Sequence, residues 1–328
     1  MKPIYYDGIE NVGDELNRYI WPAVYGPVTG DDRTALLGVG TLLDRAFCER
    51  LDSFERIVVL GSGAGYGTLP VLDDRWHIYA VRGARTCEAL RLAPDVAVAD
   101  AAYLLGSLDW STLRRQQKPV DDAVLFIPHH SSLKYINWEY ICHQAGIEFL
   151  SPTTPVPAFL ERVAQARHVI AEAMHGAILA DVMRVPWTPF RYGREFLDSK
   201  WFDWMSMFGL EVEFNRWSGF YDRSYCYMEK GAWFHLQRSL KSRLAHRAIG
   251  RKKWIDVMPP GDSQGAAGAA LSASLAKLGA MEGYLSHDDA FNRQVERLYL
   301  KAALLAADQW GGNVVPLVGS PRAFLDQY

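Results

Sequence analysis

The residues best placed for chemistry lie in one segment, residues 169–190, with the sequence VIAEAMHGAILADVMRVPWTPF. A strand-like apolar run leads into Glu172 and His175, and a helical pattern begins at Gly176. Open α/β sheets bind ligands at the carboxyl ends of their strands, and a helix N-terminus favours anions. The His175 imidazole is therefore a candidate general acid or anion contact. The neighbouring Glu172 carboxylate could tune the charge state of this imidazole.

A glycine-rich turn, GSGAGYG, follows the predicted strand Ile57–Leu60. Gly63 and Gly65 would let the backbone approach a ligand closely, and Tyr66 lies beside them. The spacing departs from GxGxxG, so it does not predict a dinucleotide site. A tight structural turn explains the glycines equally well.

Two arginines follow the next predicted strand, His77–Val81. Arg82 and Arg85 would point toward the carboxyl edge of the sheet, where guanidinium groups can hold a carboxylate or a phosphate. The alternative is that one of them pairs with a nearby acid.

Polar residues at two other strand ends are predicted to face the same cleft. His129 follows the predicted strand Val124–Ile127, and Asp14 and Asn17 follow the first strand. The last two suit the recognition of sugar hydroxyls, although Asp14 equally suits a helix cap. The sequence contains no HxH, HExxH or CxxC spacing, so it predicts no metal site.

The composition is typical of a soluble globular protein, with 328 residues, 49% hydrophobic and 22% charged. A formal net charge of -3 argues against a nucleic-acid partner. The four cysteines are scattered, and no stretch approaches the roughly 20 apolar residues of a membrane span. We therefore expect a cytoplasmic protein with reduced thiols.

The elements that must position these residues alternate between strand and helix. The pattern predicts an α/β fold with two Rossmann-like domains, residues 1–120 and 121–210, facing a cleft in a GT-B-like arrangement. Residues 211–328 are predicted as a helical extension, with a Gly/Ala-rich linker near 259–282.

A basic segment lies within that extension, at residues 233–254. Leu236, Leu240 and Leu244 share one helical stripe, among seven Lys or Arg residues between positions 238 and 253. Such a helix could rest on an anionic membrane surface, or it could be a solvated basic helix packed by its leucines.

Several segments together resemble the polysaccharide pyruvyl transferases, most closely the branch that acts on succinoglycan-type exopolysaccharides. They occur in consistent order over about residues 1–210: NVGDELNRYIWPAV, GVGTLL, VVLGSGAGYG, WHIYAVRGART, DAAYLL, FIPHHSS and AEAMHGAILADVMRVPW. The resemblance implies a GT-B-like fold, phosphoenolpyruvate as co-substrate and no cofactor. The implied product is a pyruvate ketal bridging two hydroxyls of a sugar, often on a lipid-linked oligosaccharide.

The resemblance carries the family motifs VRGP and RxHG onto Arg82 and His175. Two places before the histidine this chain has Ala173 where many members have arginine, so another cation must neutralise the donor. We expect His175 to supply a proton, Arg82 to hold the donor and Asp14 to orient the acceptor. The expected donor-binding residues are Arg82, Arg85, His129, His175, Gly176, Arg191 and Lys200. The expected acceptor-binding residues are Asp14, Asn17, Gly63, Gly65 and Tyr66.

Two other functions fit parts of the pattern. A nucleotide-sugar glycosyltransferase would share the fold, with Glu172 or Glu195 as its acid. A non-catalytic glycan-binding protein could use some of the 11 tryptophans for stacking on sugars. Clustered ionisable groups at strand ends favour catalysis. The expected location is the cytoplasm, with segment 233–254 as the candidate contact to the inner face of the plasma membrane.

Overall fold

Short apolar runs in two parts of the chain form two parallel sheets in the computed structural model. The structure describes residues 1–8, 10–26, 32–115, 122–134, 136–192, 197–217, 232–233, 236–237, 240, 266–312, 314 and 316–327. The first sheet has four strands in the order β1-β2-β3-β4. They are Lys2–Pro3 (β1), Thr34–Leu37 (β2), Arg56–Ser62 (β3) and Trp76–Val81 (β4).

The second sheet has five parallel strands in the order β6-β5-β7-β8-β9. They are Val124–Ile127 (β5), Glu148–Phe149 (β6), His168–Ala171 (β7), Trp187–Tyr192 (β8) and Asn215–Trp217 (β9). The strands predicted at 57–60, 77–81 and 124–127 are confirmed, and so is the α/β class. The GT-B-like pairing of two Rossmann-like domains and the boundaries at 120 and 210 stay predictions.

Helices connect and cover the strands. Those in the first half are Val12–Glu15 (α1), Asn17–Tyr25 (α2), Arg45–Cys48 (α3), Ala84–Ala89 (α4) and Ser111–Arg115 (α5). Then follow Trp138–Ala145 (α6), Val156–Gln165 (α7), Met174–Val182 (α8), Asp198–Met205 (α9), Ala266–Gly279 (α10), Asp288–Trp310 (α11) and Arg322–Leu325 (α12). A 3₁₀ helix spans Ala101–Ser107.

The helix after β7 begins two residues earlier than the sequence predicts. Ala173 is its extended N-cap residue, and α8 starts at Met174 rather than Gly176. Gly176 instead lies inside the helix, where an added Cβ would lie 3.1 Å from the side chain of Ile127. The glycine therefore permits close packing of α8 on β5 and does not mark a helix start.

The predicted Gly/Ala-rich linker is wrong over most of its length, because residues 266–279 form α10. Its buried residues include Ala267, Leu271, Leu275 and Leu278, which recur every three or four positions and pack on the core of the second sheet. Alanine is the strongest helix former, so this composition favours a helix once an apolar stripe is present.

The last long helix, α11, packs against the first half of the chain. The Tyr299 hydroxyl donates to the Leu104 carbonyl at 2.7 Å, and the Tyr79 hydroxyl donates to Asp308 at 2.8 Å. The described helices of the predicted C-terminal extension thus complete the cores of both sheets.

Polar contacts join the two halves of the chain. The Tyr103 hydroxyl donates to Asp181 on α8 at 2.8 Å and accepts from the Trp204 indole N–H on α9 at 2.9 Å. The Val12 N–H donates to the Pro152 carbonyl at 2.8 Å. These bonds fix the two sheet edges relative to each other.

Within the described part of the chain, no helix is both long and apolar enough to cross a bilayer. Of the basic segment 233–254, the structure describes only residues 233, 236, 237 and 240. The remaining residues, among them Leu244, lie outside the described part of the chain.

Candidate active site

A cavity of about 260 Å³ opens where the carboxyl ends of the two sheets meet. Its walls come from the segments after β1, β2 and β3 on one side and after β5, β6 and β7 on the other. The lining residues are Tyr6, Asn11, Val12, Asp14, Thr41, Tyr66, His129, His130, Pro152, Ala173, Met174, His175 and Lys200. This is the crevice in which open α/β sheets bind ligands.

The N-terminus of α8 forms one wall of this cavity. Ala173, Met174 and His175 all line it, and the Ala173 side chain makes no cap hydrogen bond. The first N–H groups of a helix lack intrahelical partners and carry the positive end of its dipole. The cavity therefore offers an anion a helix terminus together with the side chains of His175 and Lys200.

His175 lies against a carboxylate that the sequence analysis did not select as a site residue. Its Nε2 is 3.6 Å from Oδ2 of Asp100, and Asp100 is fully buried. Gly13 packs against Nδ1 of the same ring, so closely that a Cβ atom added to this glycine would overlap Nδ1. Asp100 lies in the segment DAAYLL, where its only sequence signal is that of a helix cap.

Glu172, which was expected to tune the imidazole, is engaged at the turn after β5. Its Oε2 accepts from the His129 N–H at 2.8 Å and from the Ser132 hydroxyl at 2.6 Å. Glu172 therefore holds the turn after β5, and Asp100 is the acid next to His175. Glu195, the other proposed acid, lies outside the described residues.

Lys200 reaches the cavity from α9. Its Nζ lies 2.5 Å from the Tyr66 hydroxyl, and the side chain is 9% exposed. A Cβ on Gly65 would lie 2.7 Å from Cγ of Lys200, so Gly65 makes room for the lysine and does not itself line the cavity. Burial and the nearby Arg82 lower the pKa of Lys200 to about 7, against the effect of Asp14.

Asp14 lines the cavity as expected and accepts a hydrogen bond from the Asn11 side chain. Burial raises the pKa of Asp14 to about 6, although His175 and Lys200 favour its ionised form. A carboxylate with this pKa can exchange protons near neutral pH.

His129, an expected donor-binding residue, also lines the cavity, but it is not a positive charge that could neutralise the donor. Burial and the adjacent His130 lower the pKa of His129 to about 3. Its ring is neutral at physiological pH, and Nδ1 lies 2.8 Å from the Ser131 hydroxyl.

Arg82 is fully buried and is not among the residues that line the cavity. It forms an ion pair with Asp203 at 3.1 Å and donates to Thr41 Oγ1 at 2.7 Å and to the Ala64 carbonyl at 2.8 Å. A Cβ on Gly63 would overlap its guanidinium, so Gly63 serves this packing. Arg82 therefore supports Thr41, which lines the cavity.

Three other candidates lie away from the cavity. The guanidinium of Arg85 lies over the ring of Phe202, at 4.9 Å. Arg191 donates to Asp198 at 3.0 Å. Asn17 is buried, and its amide nitrogen donates to the carbonyls of Asp14 and Val39. Its amide oxygen accepts from the Val39 N–H and the Trp21 indole N–H. These four bonds use all of the hydrogen-bonding capacity of the amide.

The tryptophans that the structure describes do not line the cavity. Six of them, Trp21, Trp110, Trp138, Trp187, Trp201 and Trp204, are buried in the core. This arrangement does not favour sugar stacking on tryptophan at this site. Among the residues that the structure describes, no group of three or more His, Cys, Asp or Glu side chains could hold a metal ion.

The lowered pKa of Lys200 has a measurable consequence. An amine is nucleophilic only when it is deprotonated, so with a pKa of about 7 its reactivity falls as the pH drops through 7 and levels off above it. We expect reductive methylation of Lys200, followed by peptide mass spectrometry, to reach a plateau at about pH 8. Exposed Lys277 is the reference in the same digest. A rate for Lys200 that keeps rising to pH 10 would contradict the shift.

The segment 40–194 matches the family model described as polysaccharide pyruvyl transferase. A relative from Rhizobium meliloti (strain 1021), named succinoglycan biosynthesis protein ExoV, is 35% identical over 215 residues. The aligned region covers 64% of this chain and 66% of the relative, just under two thirds of the relative's length. No solved structure gives a match.

The family match contains most of the cavity wall, from Thr41 to His175, and the buried Asp100. These findings agree with the motifs seen in the sequence, from GVGTLL to AEAMHGAILADVMRVPW. Over residues 40–194 the chain is therefore similar to the polysaccharide pyruvyl transferases, and its similarity to the Rhizobium meliloti protein is to the succinoglycan branch.

Proposed function

We propose that this protein transfers the enolpyruvyl group of phosphoenolpyruvate to two hydroxyls of a sugar, forming a pyruvate ketal. The acceptor is an exopolysaccharide or its lipid-linked oligosaccharide precursor. The match to the polysaccharide pyruvyl transferase model and the similarity to a succinoglycan biosynthesis protein support this reaction class. The observation that carries the proposal is the cavity between the sheets, where a helix N-terminus, His175, Lys200 and Asp14 converge.

The donor carries a phosphate and a carboxylate. In this proposal the N–H groups at the start of α8 and the Lys200 ammonium bind these anionic groups. Because Arg82 is buried in an ion pair, Lys200 takes the role that the resemblance assigned to the arginine. Asp14, beside Asn11 and Tyr66, faces the acceptor.

The transfer is an addition followed by an elimination. His175 delivers a proton to the methylene carbon, C3, while a sugar hydroxyl attacks C2 and loses its proton to Asp14. The C2–O bond to phosphate then breaks, and the phosphate leaves with the electron pair. The second hydroxyl closes the ring and gives its proton to the phosphate. No electrons are exchanged with another molecule, so no redox cofactor is needed.

Delivery to a lipid-linked acceptor gives the basic segment 233–254 a role in this proposal. Its lysines and arginines would hold the enzyme at the anionic cytoplasmic surface of the membrane, where such an acceptor is anchored.

Calorimetric titration with phosphoenolpyruvate, UDP-glucose and UDP-galactose tests the donor. We expect binding of phosphoenolpyruvate, weakened about 10- to 100-fold by Lys200→Met, because a hydrogen bond to a charged group is lost. Lys277→Met removes an exposed lysine outside the cavity and is the matched control. Preference for a UDP-sugar would instead assign glycosyl transfer.

Product formation tests the reaction itself. Phosphoenolpyruvate is incubated in D₂O with alkyl glycosides of glucose, galactose and mannose and with extracted lipid-linked oligosaccharides. A ketal methyl group that carries deuterium, formed together with inorganic phosphate, is the expected result in NMR spectra. Phosphate release without a ketal would refute transfer to sugar.

A further inference from the structure

Two buried polar atoms face each other behind the cavity wall. Oδ2 of Asp100 and Nε2 of His175 are 3.6 Å apart, and neither has a hydrogen-bond partner. An unpaired carboxylate oxygen in a fully buried residue is costly. Such atoms are rare in folded proteins, and this pair adjoins the cavity.

The backbone around Asp100 fixes its carboxylate. Its Oδ1 accepts from the Ala102 N–H at 3.0 Å and caps the 3₁₀ helix. Gly61 has a φ of +94°, and a Cβ there would overlap the backbone N of Ala101. The end of β3 therefore packs directly on this turn, and the carboxylate has little freedom to turn away from His175.

The imidazole is confined from the opposite side. Gly13 in α1 lies so close to Nδ1 that any side chain there would displace the ring. His175 belongs to α8 and Asp100 to the first half, so the pair spans the two halves. A shift of roughly 0.5 Å would bring the two atoms within the usual hydrogen-bond range, and catalytic hydrogen bonds often tighten in this way.

We propose that Asp100 is a positioning residue for His175. The carboxylate accepts the Nε2–H of the imidazole and thereby fixes the tautomer in which Nδ1, the ring nitrogen next to Gly13, carries no proton. When His175 is protonated at both nitrogens, Asp100 stabilises the imidazolium, and Nδ1–H is the proton delivered to C3. The role in proton transfer rests on the proposed function; the tautomer assignment does not.

Asp14 is placed for a different part, although His175 lowers the pKa of its carboxyl against the larger effect of burial. It lines the cavity, and its carboxylate is engaged by the Asn11 side chain, whereas Asp100 has no contact with the cavity. The two carboxylates therefore act on different partners, Asp14 on the acceptor and Asp100 on the histidine.

The competing explanation is that Asp100 only caps the 3₁₀ helix. Asp100→Asn separates the two roles, because asparagine caps a helix as well as aspartate does, and with its single oxygen used in the cap it presents its amide N–H to Nε2. An N–H donor facing Nε2 drives the ring proton to Nδ1, and helix capping is preserved.

The test is NMR of protein labelled with ¹⁵N-histidine, with His175→Gln identifying the His175 signals. We expect the Nε2–H tautomer in the wild type and a shift toward Nδ1–H in Asp100→Asn. Turnover should fall about tenfold or more, with phosphoenolpyruvate affinity changed less than about threefold. His287 and Asp289 form an exposed pair at 3.7 Å, so Asp289→Asn is the matched control.

An unchanged His175 tautomer in Asp100→Asn would overturn the inference, whatever happens to turnover. If that variant does not fold, the wild-type spectrum decides, because a dominant Nδ1–H form contradicts the proposed contact. A wild type that shows the Nε2–H tautomer but does not bind phosphoenolpyruvate would refute the proposed function alone.

Discussion

His175→Gln is expected to lower the turnover number by about 10²- to 10⁴-fold, the usual contribution of a general acid. The neutral His129 in the same cavity cannot replace it, because its pKa is lowered to about 3. Glutamine keeps an N–H donor within reach of Asp100, so the variant should fold. Turnover is followed by phosphate release, and phosphoenolpyruvate affinity is followed by calorimetry.

His143→Gln is the matched control, since His143 is exposed on α6 and lies outside the cavity. The expected pattern is a large loss of turnover in His175→Gln with affinity reduced less than about tenfold. A variant that kept more than about a tenth of the wild-type turnover would remove His175 from proton transfer. A loss of affinity alone would make it an anion contact.

Arg82→Met is expected to destabilise the protein by about 3–5 kcal/mol, because it strands the buried Asp203 carboxylate. Asp203 is 1% exposed and also accepts from the N–H and the hydroxyl of Thr86, at 2.8 and 2.7 Å. Its remaining partners carry no charge that could replace the guanidinium. Urea unfolding followed by circular dichroism measures the change in the free energy of unfolding.

A second substitution makes this result specific. Arg82→Met combined with Asp203→Leu removes both charges and should recover much of the lost stability. Arg33→Met, which breaks an ion pair whose side chains are 69% and 67% exposed, should leave the unfolding curve nearly unchanged. If Arg82→Met kept full stability but lost phosphoenolpyruvate binding, Arg82 would be a direct donor contact after all.

The α/β class and the positions of the central strands could be predicted from the amino-acid pattern alone. Apolar runs such as Val124–Ile127 and His168–Ala171 are short, continuous and bounded by polar residues, which is the pattern of strands buried in a parallel sheet. Because the carboxyl ends of parallel strands meet at one edge, the pattern also placed Asp14, His129 and His175 near a common cleft. The resemblance to the pyruvyl transferases followed from the order of the motifs.

Which charged groups reach that cleft depends on contacts between segments that are far apart in the chain. The side chains of Arg82 and Lys200 are both buried. Arg82 is held away from the cavity by its ion pair with Asp203, whereas Lys200 reaches the cavity because Gly65 has no side chain to block it. Asp100 and His175 are distant in sequence and meet only because the two halves dock. Burial, ion pairing and docking are long-range properties, so local patterns of residue type could not assign these roles.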